Sequence, residues 1–479
     1  MKEESLLFKP VKEISKKEVI SAPPNLSIRN IALLMKENNI SGLIISKDNY
    51  PIGIITDRDF RNKVISQGLN PENITAQEIM TTPVLTVREN DYIFEAIYKM
   101  TKNNIHRLVV VNEMGMISGV LTDTDIIKFQ TNTPLYFVRE LEYAVGLQDL
   151  KELNKKSIPL INYLLDANIN TADLIRFISH INDSIILRCI KLIISENYLS
   201  LPEKFAFLVL GSEGRMEQTL KTDQDNAIVY SDDLNQKDIE EIKRFSEKLI
   251  ESLIYIGIPE CPGGIMAKND FWRRPLSEWI MCLRKWMSNP TPENILNYSM
   301  FSDLRTIYGD ISLEKALKKE IKIMVEENEL FLAHMANNSL RFSPPLGIFG
   351  NIKVESQGEN KGRLDVKKAG IFPITEGIKI LSLEAGELNG GTFTKIRKLW
   401  GKDILSEDDL LEMEDTFDFF MRLRLKNNIK QYLRGENPSN YINPKELKTI
   451  ERDNLKQGFR VVNKFQNFLK DKYQLDFIR

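Results

Sequence analysis

Between Phe205 and Tyr230 the chain reads FAFLVLGSEGRMEQTLKTDQDNAIVY, and no other stretch limits the fold so tightly. The apolar run from Phe205 to Leu210 predicts a buried strand that stops at Gly211-Ser212. A short polar, helix-like piece follows, with Arg215 at its start. Asp223 and Asp225 then lead into a second apolar run, Ala227 to Tyr230. Residues i and i+2 of a strand share a face, so the two carboxylates lie side by side. Paired hard oxygen ligands suit Mg²⁺ bound to substrate phosphates. The Gly-Ser turn offers backbone N–H groups and a helix start to a triphosphate. A bare Asp-x-Asp would read as a surface loop after a hairpin. Gly211, Ser212, Arg215 and Thr222 together favour the binding reading.

The first 130 residues repeat themselves. PIGIITDRDFRN (Pro51 to Asn62) matches MISGVLTDTDIIK (Met116 to Lys128), and IRNIALLMKENNISGLIIS matches IFEAIYKMTKNNIHRLVVV. Each copy reads as an amphipathic helix, an Asn-Asn break, a buried strand, a turn, a second strand and a helix. Each second strand ends in Thr-Asp-x-Asp: Thr56 with Asp59, and Thr122 with Asp125. These residues cap the next helix or accept hydrogen bonds from a ligand, and the two roles are compatible.

At 479 residues the chain exceeds a single core, so about three domains are expected. Lys+Arg 65 against Asp+Glu 67 leaves a net charge of −2, with no basic excess to drive nucleic-acid binding. No apolar stretch reaches membrane-spanning length, and no signal-peptide core opens the chain. Cys189, Cys261 and Cys282 suit a reducing cytoplasm and suggest no disulfide framework.

Residues 134–200 carry helical spacing and read as a connector, with Leu174 to Ser195 as one long helix or a helix pair. A helix is expected from about Gln236 to Ile256. Lys268 and Arg273, after Gly263-Gly264, are candidates for phosphate or plain surface cations. From Ser312 onward the chain reads as helical, broken by a Gly- and Pro-rich loop from Arg341 to Gly377. Within it, Arg363 to Lys368 reads as a salt-bridged surface turn, with the active-site cleft as the alternative.

The Gly211–Asn226 motif, G-S-x-G-R-x-E-Q-x-L-x-T-D-Q-D-N, is similar to the nucleotidyltransferase domain of PII uridylyltransferases and glutamine-synthetase adenylyltransferases. The N-terminal repeat resembles a tandem CBS (cystathionine-β-synthase) pair, and the whole chain resembles nucleotidyltransferases fused to CBS domains. The resemblance implies a multidomain α/β fold: a CBS pair over 1–133, a helical linker over 134–200, a polymerase-β-like nucleotidyltransferase domain over 201–311 and a helical domain over 312–479. It implies Mg²⁺-dependent transfer of a nucleoside monophosphate from an NTP to a hydroxyl on a protein or small molecule. Asp223 and Asp225 would bind metal. Gly211, Ser212, Arg215 and Lys268 would hold the NTP. Asp303, in Asp303-x-Arg305, would be the third metal ligand and catalytic carboxylate of this fold, with Asp310 as a neighbour. Thr56, Asp59, Thr122 and Asp125 would contact the ribose of a regulatory adenine nucleotide, with Arg58 and Arg107 near its phosphate. A cytoplasmic homodimer is expected. The alternative is an inactive nucleotide-sensing protein with a degenerate transferase domain.

Overall fold

The computed structural model describes residues 6–128, 134–167, 169–196, 199–220, 223–347 and 350–477; Thr222 of the motif lies outside the described residues. The chain divides into two units, Met1–Glu142 and Tyr143–Arg479.

In the first unit the repeat becomes two matching sheets. β1 (Ser21–Ala22) runs parallel to β2 (Gly42–Lys47), which pairs antiparallel with β3 (Tyr50–Thr56). β4 (Thr86–Arg88), β5 (Arg107–Val111) and β6 (Ile117–Thr122) repeat the pattern. The registers coincide: Leu43 faces Ile55, and Leu108 faces Leu121. The helix Ile28–Glu37 buries Ile28, Ile31 and Met35, and Ile93–Asn103 buries Ile93, Ile97 and Met100, as helical spacing requires. The Asn-Asn breaks have a conformational cause. Asn39 and Asn104 take φ of 49° and 52°, the left-handed conformation that Asn tolerates best after Gly and that ends a helix.

The second unit is built on a four-stranded sheet. Its order is β10-β7-β8-β9, with β7 (Phe205–Val209), β8 (Asn226–Tyr230), β9 (Arg273–Pro275) and β10 (Arg305–Gly309). β7 pairs antiparallel with β10 and β8, and β9 lies parallel to β8. Both faces of β7 and β8 are buried. Ala206, Leu208, Ala227 and Val229 pack in one cluster with Trp279, Trp286 and Phe301. Phe205 and Phe207 meet Phe245 of the helix Gln236–Ile256 edge-on. That helix starts where Asn235 accepts from Asp238 N at 3.0 Å and stops at Gly257, φ 107°. The predicted connector forms the helices Leu147–Asp166 and Thr171–Glu196, the latter one continuous helix.

The C-terminal helices share a core of Phe417, Phe420, Phe459 and Phe465. The loop expected over Arg341–Gly377 is shorter than predicted. Leu364–Asp365 pairs with Tyr441–Ile442 (β11 and β12), and a helix runs from Phe372 to Glu384. Pro373, inside the segment expected as a loop, sits in that helix's first turn, where its missing N–H costs nothing.

Candidate active site

The Gly-Ser turn and the acidic pair are brought together by the register of β7 and β8. Val209 faces Asn226, and Leu210 N donates to Asp225 O at 2.9 Å. Gly211 follows at φ +52°. A Cβ there would lie 2.5 Å from Met300 Cε and 3.6 Å from Asp225 Oδ2. Only glycine fits this bend without strain, and its backbone runs directly past the carboxylate. A one-turn helix, Gly211–Gly214, comes next, and Arg215 closes it as the C-cap instead of opening it. The N–H groups of Gly211 and Ser212, at its first two positions, have no intrahelical partner.

Asp223 and Asp225 precede β8 instead of lying within it. Extended alternation still holds. Gln224 between them is buried, donating from N to Pro259 O at 3.1 Å and from Nε2 to Ile258 O at 3.3 Å. Asp223 and Asp225, on the opposite side, stay partly accessible. Burial pushes the Asp225 carboxyl up to about 6; Asp223 adds to the rise, while the Cys261 thiol, Lys367 and Arg215 oppose it. A half-buried pair of like charges is relieved by a cation, and Mg²⁺ takes one or two carboxylates together with substrate phosphates. The donor set therefore fits that metal.

Asp303 departs from its expected role. It ends the helix Pro292–Ser302, two residues before β10, and its side chain is fully buried. Its Oδ2 accepts from Lys379 Nζ at 2.8 Å and from Arg215 Nη1, and its Oδ1 from Lys395 Nζ at 3.1 Å. Burial alone would raise its pKa, but Lys379, Lys395 and Arg215 override that and hold it well below the usual carboxylate range. Both oxygens are thus committed to cations. Among the described residues, no group of three His, Cys, Asp or Glu side chains that could hold a metal is assembled. Asp303 is not brought into a three-carboxylate cluster with Asp223 and Asp225. The neighbouring acid Asp310 is a helix cap, accepting from Ser312 N at 2.8 Å.

Arg215 is fixed from two sides, because its Nε also donates to Glu217 Oε2 at 2.8 Å. Glu217 in turn accepts from Thr392 Oγ1 at 3.1 Å and from Thr392 N. Lys268 forms a salt bridge with Glu260. Arg273 is buried, donating to the carbonyls of Ala267 and Lys268 at 2.8 and 3.0 Å, so it shapes the loop below Asn226.

Three buried cations escaped the sequence reading: Lys379, Lys395 and Arg424. Lys379 carried a usable signal, one of two charges, with Glu376 three residues earlier, inside the otherwise mostly apolar run FPITEGIKILSL. Lys367 belongs to the run Arg363–Lys368, read as a surface turn with the active-site cleft as the alternative, and it is exposed.

In the first unit, Thr56 and Asp59 form a capping box. Thr56 Oγ1 and N donate to Asp59 Oδ2 at 2.7 and 2.9 Å, and Lys63 Nζ pairs with Asp59 Oδ1 at 2.8 Å. Thr122 N donates to Asp125 Oδ2 at 3.0 Å in the same way. The capping role is therefore filled in both copies. A cleft of about 340 Å³ opens beside the first copy, lined by Thr56, Asp57, Arg58, His106 and Arg107. Arg107 Nη2 donates to Ser41 Oγ at 2.7 Å across it.

No helix among the described residues is long and apolar enough to cross a membrane. Residues 156–293 match the family described as "Putative nucleotidyltransferase DUF294", and 329–473 match "Putative nucleotidyltransferase substrate binding domain". Residues 11–66 and 76–132 each match the CBS domain. "Uncharacterized protein MK0525" of Methanopyrus kandleri is 39% identical over 121 residues, 25% of this chain and 62% of that protein. "Uncharacterized protein MJ0653" of Methanocaldococcus jannaschii is 38% identical over 144 residues, 30% of this chain and 72% of that protein. The chain spans 38% of the length of MJ1232 from the same organism, at 32% identity over 25% of this chain. Among solved structures, the CBS domain pair of protein MJ0100, in complex with 5-methylthioadenosine and S-adenosyl-L-methionine, is 32% identical; the match covers 26% of this chain and 95% of that one, with a TM-score of 0.24. The CBS domain protein PAE2072 from Pyrobaculum aerophilum, complexed with AMP, is 27% identical; the match covers 26% and 93%, also with a TM-score of 0.24. With a CBS pair, a DUF294 segment and its substrate-binding segment in one chain, this protein belongs to the CBS-domain-containing "Putative nucleotidyltransferase DUF294" family.

Proposed function

We propose that this protein transfers a nucleoside monophosphate from an NTP to a hydroxyl on a protein or small molecule, as uridylyl- and adenylyltransferases do. The observation that carries the reading is the Gly211–Ser212 turn set against the Asp223–Asp225 pair, with Arg215 locked beside them. Free N–H groups at Gly211 and Ser212 suit the terminal phosphates. Asp223 and Asp225 would hold Mg²⁺, which when bound neutralises triphosphate charge and acidifies the attacking hydroxyl. In the transfer the acceptor oxygen bonds to the α-phosphorus, the bond to the β-phosphate oxygen breaks, and pyrophosphate leaves. The hydroxyl proton passes to solvent. Arg215, its charge matched by Asp303 and Glu217, holds the end of the Gly211–Ser212 turn in place. Asp303 acts through Arg215 and Lys395 as a positioning residue.

The cleft at Thr56 and Arg107 would take an adenine nucleotide, a cation for phosphate and polar edges for ribose. Such a ligand regulates transfer only if it binds one conformation of the whole chain better than another.

A second reading, a nucleotide-sensing protein without transfer, is favoured by the commitment of Asp303 to three cations. Incubation with each α-labelled NTP, Mg²⁺ and cell extract separates the two. Label passing to an acceptor, lost in Asp223→Asn, supports the first. Nucleotide binding without any transfer supports the second.

A further inference from the structure

The second unit holds a cleft of about 570 Å³ that the proposed transfer does not use. The helices Leu147–Asp166 and Thr171–Glu196 line it, together with residues 256–259 and a C-terminal stretch that includes Tyr432 and Asn437. Gly211, Ser212, Asp223 and Asp225 are not part of its lining. The cleft nevertheless adjoins the support of the acidic pair. Ile258 and Pro259 belong to its wall, and their carbonyls accept from Gln224 Nε2 and Gln224 N. Asn182, also in the wall, donates from Nδ2 to Gln218 Oε1 at 3.0 Å.

Its chemistry is one-sided. Ile161, Ile178 and Ile256 are buried and Ile158 is half-buried, so much of the wall is apolar. Lys151, Lys155 and Ile158 follow at four- and three-residue spacing and therefore share one face of their helix. No Asp or Glu lines the cleft, and neither lysine forms an ion pair among the described residues. Lys151 Nζ lies 4.2 Å from the centroid of the Tyr255 ring, while Lys155 is exposed. The Tyr432 hydroxyl and the Asn437 side-chain amide make no hydrogen bond among the described residues. Two cations without an acid give the cleft a single sign, and apolar walls concentrate that field. A concave site of roughly 300–1,000 Å³, mostly apolar with a few polar groups, is the usual form of a small-molecule site.

We propose that this cleft binds a small amphipathic anion. An apolar or aromatic body lies against the isoleucines, and a carboxylate or similar group pairs with Lys155, with the Tyr432 hydroxyl and the Asn437 amide as further donors. The site is separate from the Gly211–Ser212 turn and the acidic pair, and the inference does not rest on the transferase reading.

The test is fluorescence titration of the full chain with anilinonaphthalene sulfonate, an aromatic body bearing one sulfonate, beside its uncharged analogue N-phenylnaphthylamine. The sulfonate binds more tightly than the analogue. Lys155→Gln weakens the sulfonate about 3- to 10-fold, the loss of one accessible charge contact, and leaves the analogue unchanged. Asn437→Glu weakens the sulfonate by a similar factor through repulsion, and Asn437→Lys tightens it. Both positions are exposed, so these changes remove no packing and the melting temperature stays at the wild-type value. Asp223→Asn and Arg107→Ala leave sulfonate binding unchanged, which separates this cleft from the acidic pair and from the cleft of the first unit. Equal affinity for the two dyes overturns the proposal. So does sulfonate affinity indifferent to Lys155→Gln and to both Asn437 changes, or a loss confined to Arg107→Ala or Asp223→Asn.

Discussion

Replacing Asp303 by Asn separates a positioning role from a metal-binding one. The substitution keeps the shape and removes the charge that three buried cations share. Their losses are unequal. Arg215 retains Glu217 at 2.8 Å, and Lys379 retains Glu376 at 2.9 Å and the Ser299 carbonyl at 2.8 Å. Lys395, buried, has Asp303 as its hydrogen-bonded counterion and is left with a neutral amide. Breaking a buried pair by removing one partner costs about 3–5 kcal/mol, and one stranded lysine out of three cations puts the expectation near the lower end. With unfolding entropy of ~2 cal/mol/K per residue, 3 kcal/mol lowers the melting temperature of a unit this large by about 4–5 °C. Adding Lys395→Met to Asp303→Asn recovers part of the loss, because the stranded charge is gone, and gives a coupling of about 1–3 kcal/mol. Scanning calorimetry of the wild type, both single variants and the double variant reads this directly. A depressed carboxylate pKa stabilises above the unfolded value of ~3.9 and is lost as pH falls through the lower folded value, so the Asp303→Asn deficit shrinks only below about pH 4. Unchanged melting together with lost Mg²⁺-dependent NTP binding would refute the reasoning and return Asp303 to the metal.

Asp223→Asn and Asp225→Asn each reduce transfer at least 100-fold and abolish the Mg²⁺ dependence of NTP binding with the circular dichroism spectrum unchanged; wild-type rates in both would remove the acidic pair from the site. Burial, then Asp183, pushes the Glu213 carboxyl up to about 8. A carboxyl raised above its unfolded value costs stability progressively as pH climbs from ~4 through about 8, so Glu213→Gln melts higher than the wild type at pH 8.5, by up to about 4 kcal/mol in stability, and the gap closes toward pH 5. A gap independent of pH counts against it. Titration of AMP, ADP and ATP into the full chain finds at least one binder at micromolar to millimolar concentration, and Arg107→Ala weakens it about tenfold; no heat from any of the three at millimolar concentration ends the regulator reading.

Some of this was legible in the sequence because it is local. The CBS copies repeat helix, Asn break, hairpin and Thr-Asp-x-Asp in order, and each feature has its cause within a few residues. The turn at Gly211 and the alternation of Asp223, Gln224 and Asp225 are local too, although β8 begins only at Asn226. What was not legible is pairing over distance. Arg305 was read as part of an acid-x-Arg site motif, but it grips Asp183, 122 residues upstream, at 2.8 and 2.9 Å. Asp303 and Lys395 are 92 residues apart. No spacing rule announces such a partner, and an acid before a strand looks the same whether a metal or a lysine awaits it. The Arg341–Gly377 segment misled for a different reason: Pro373 punctuates a loop in isolation, yet in the fold it opens a helix.

The most direct test of the central claim is transfer itself. The purified chain is incubated with each α-³²P-labelled NTP, Mg²⁺ and cell extract, beside Asp223→Asn and a sample in EDTA, and acceptor-bound label and released pyrophosphate are measured together. The account predicts that one NTP labels an acceptor with one pyrophosphate released per label, and that both signals vanish in Asp223→Asn and in EDTA. Label transfer that persists in Asp223→Asn, or nucleotide binding with neither product from any NTP, would contradict it.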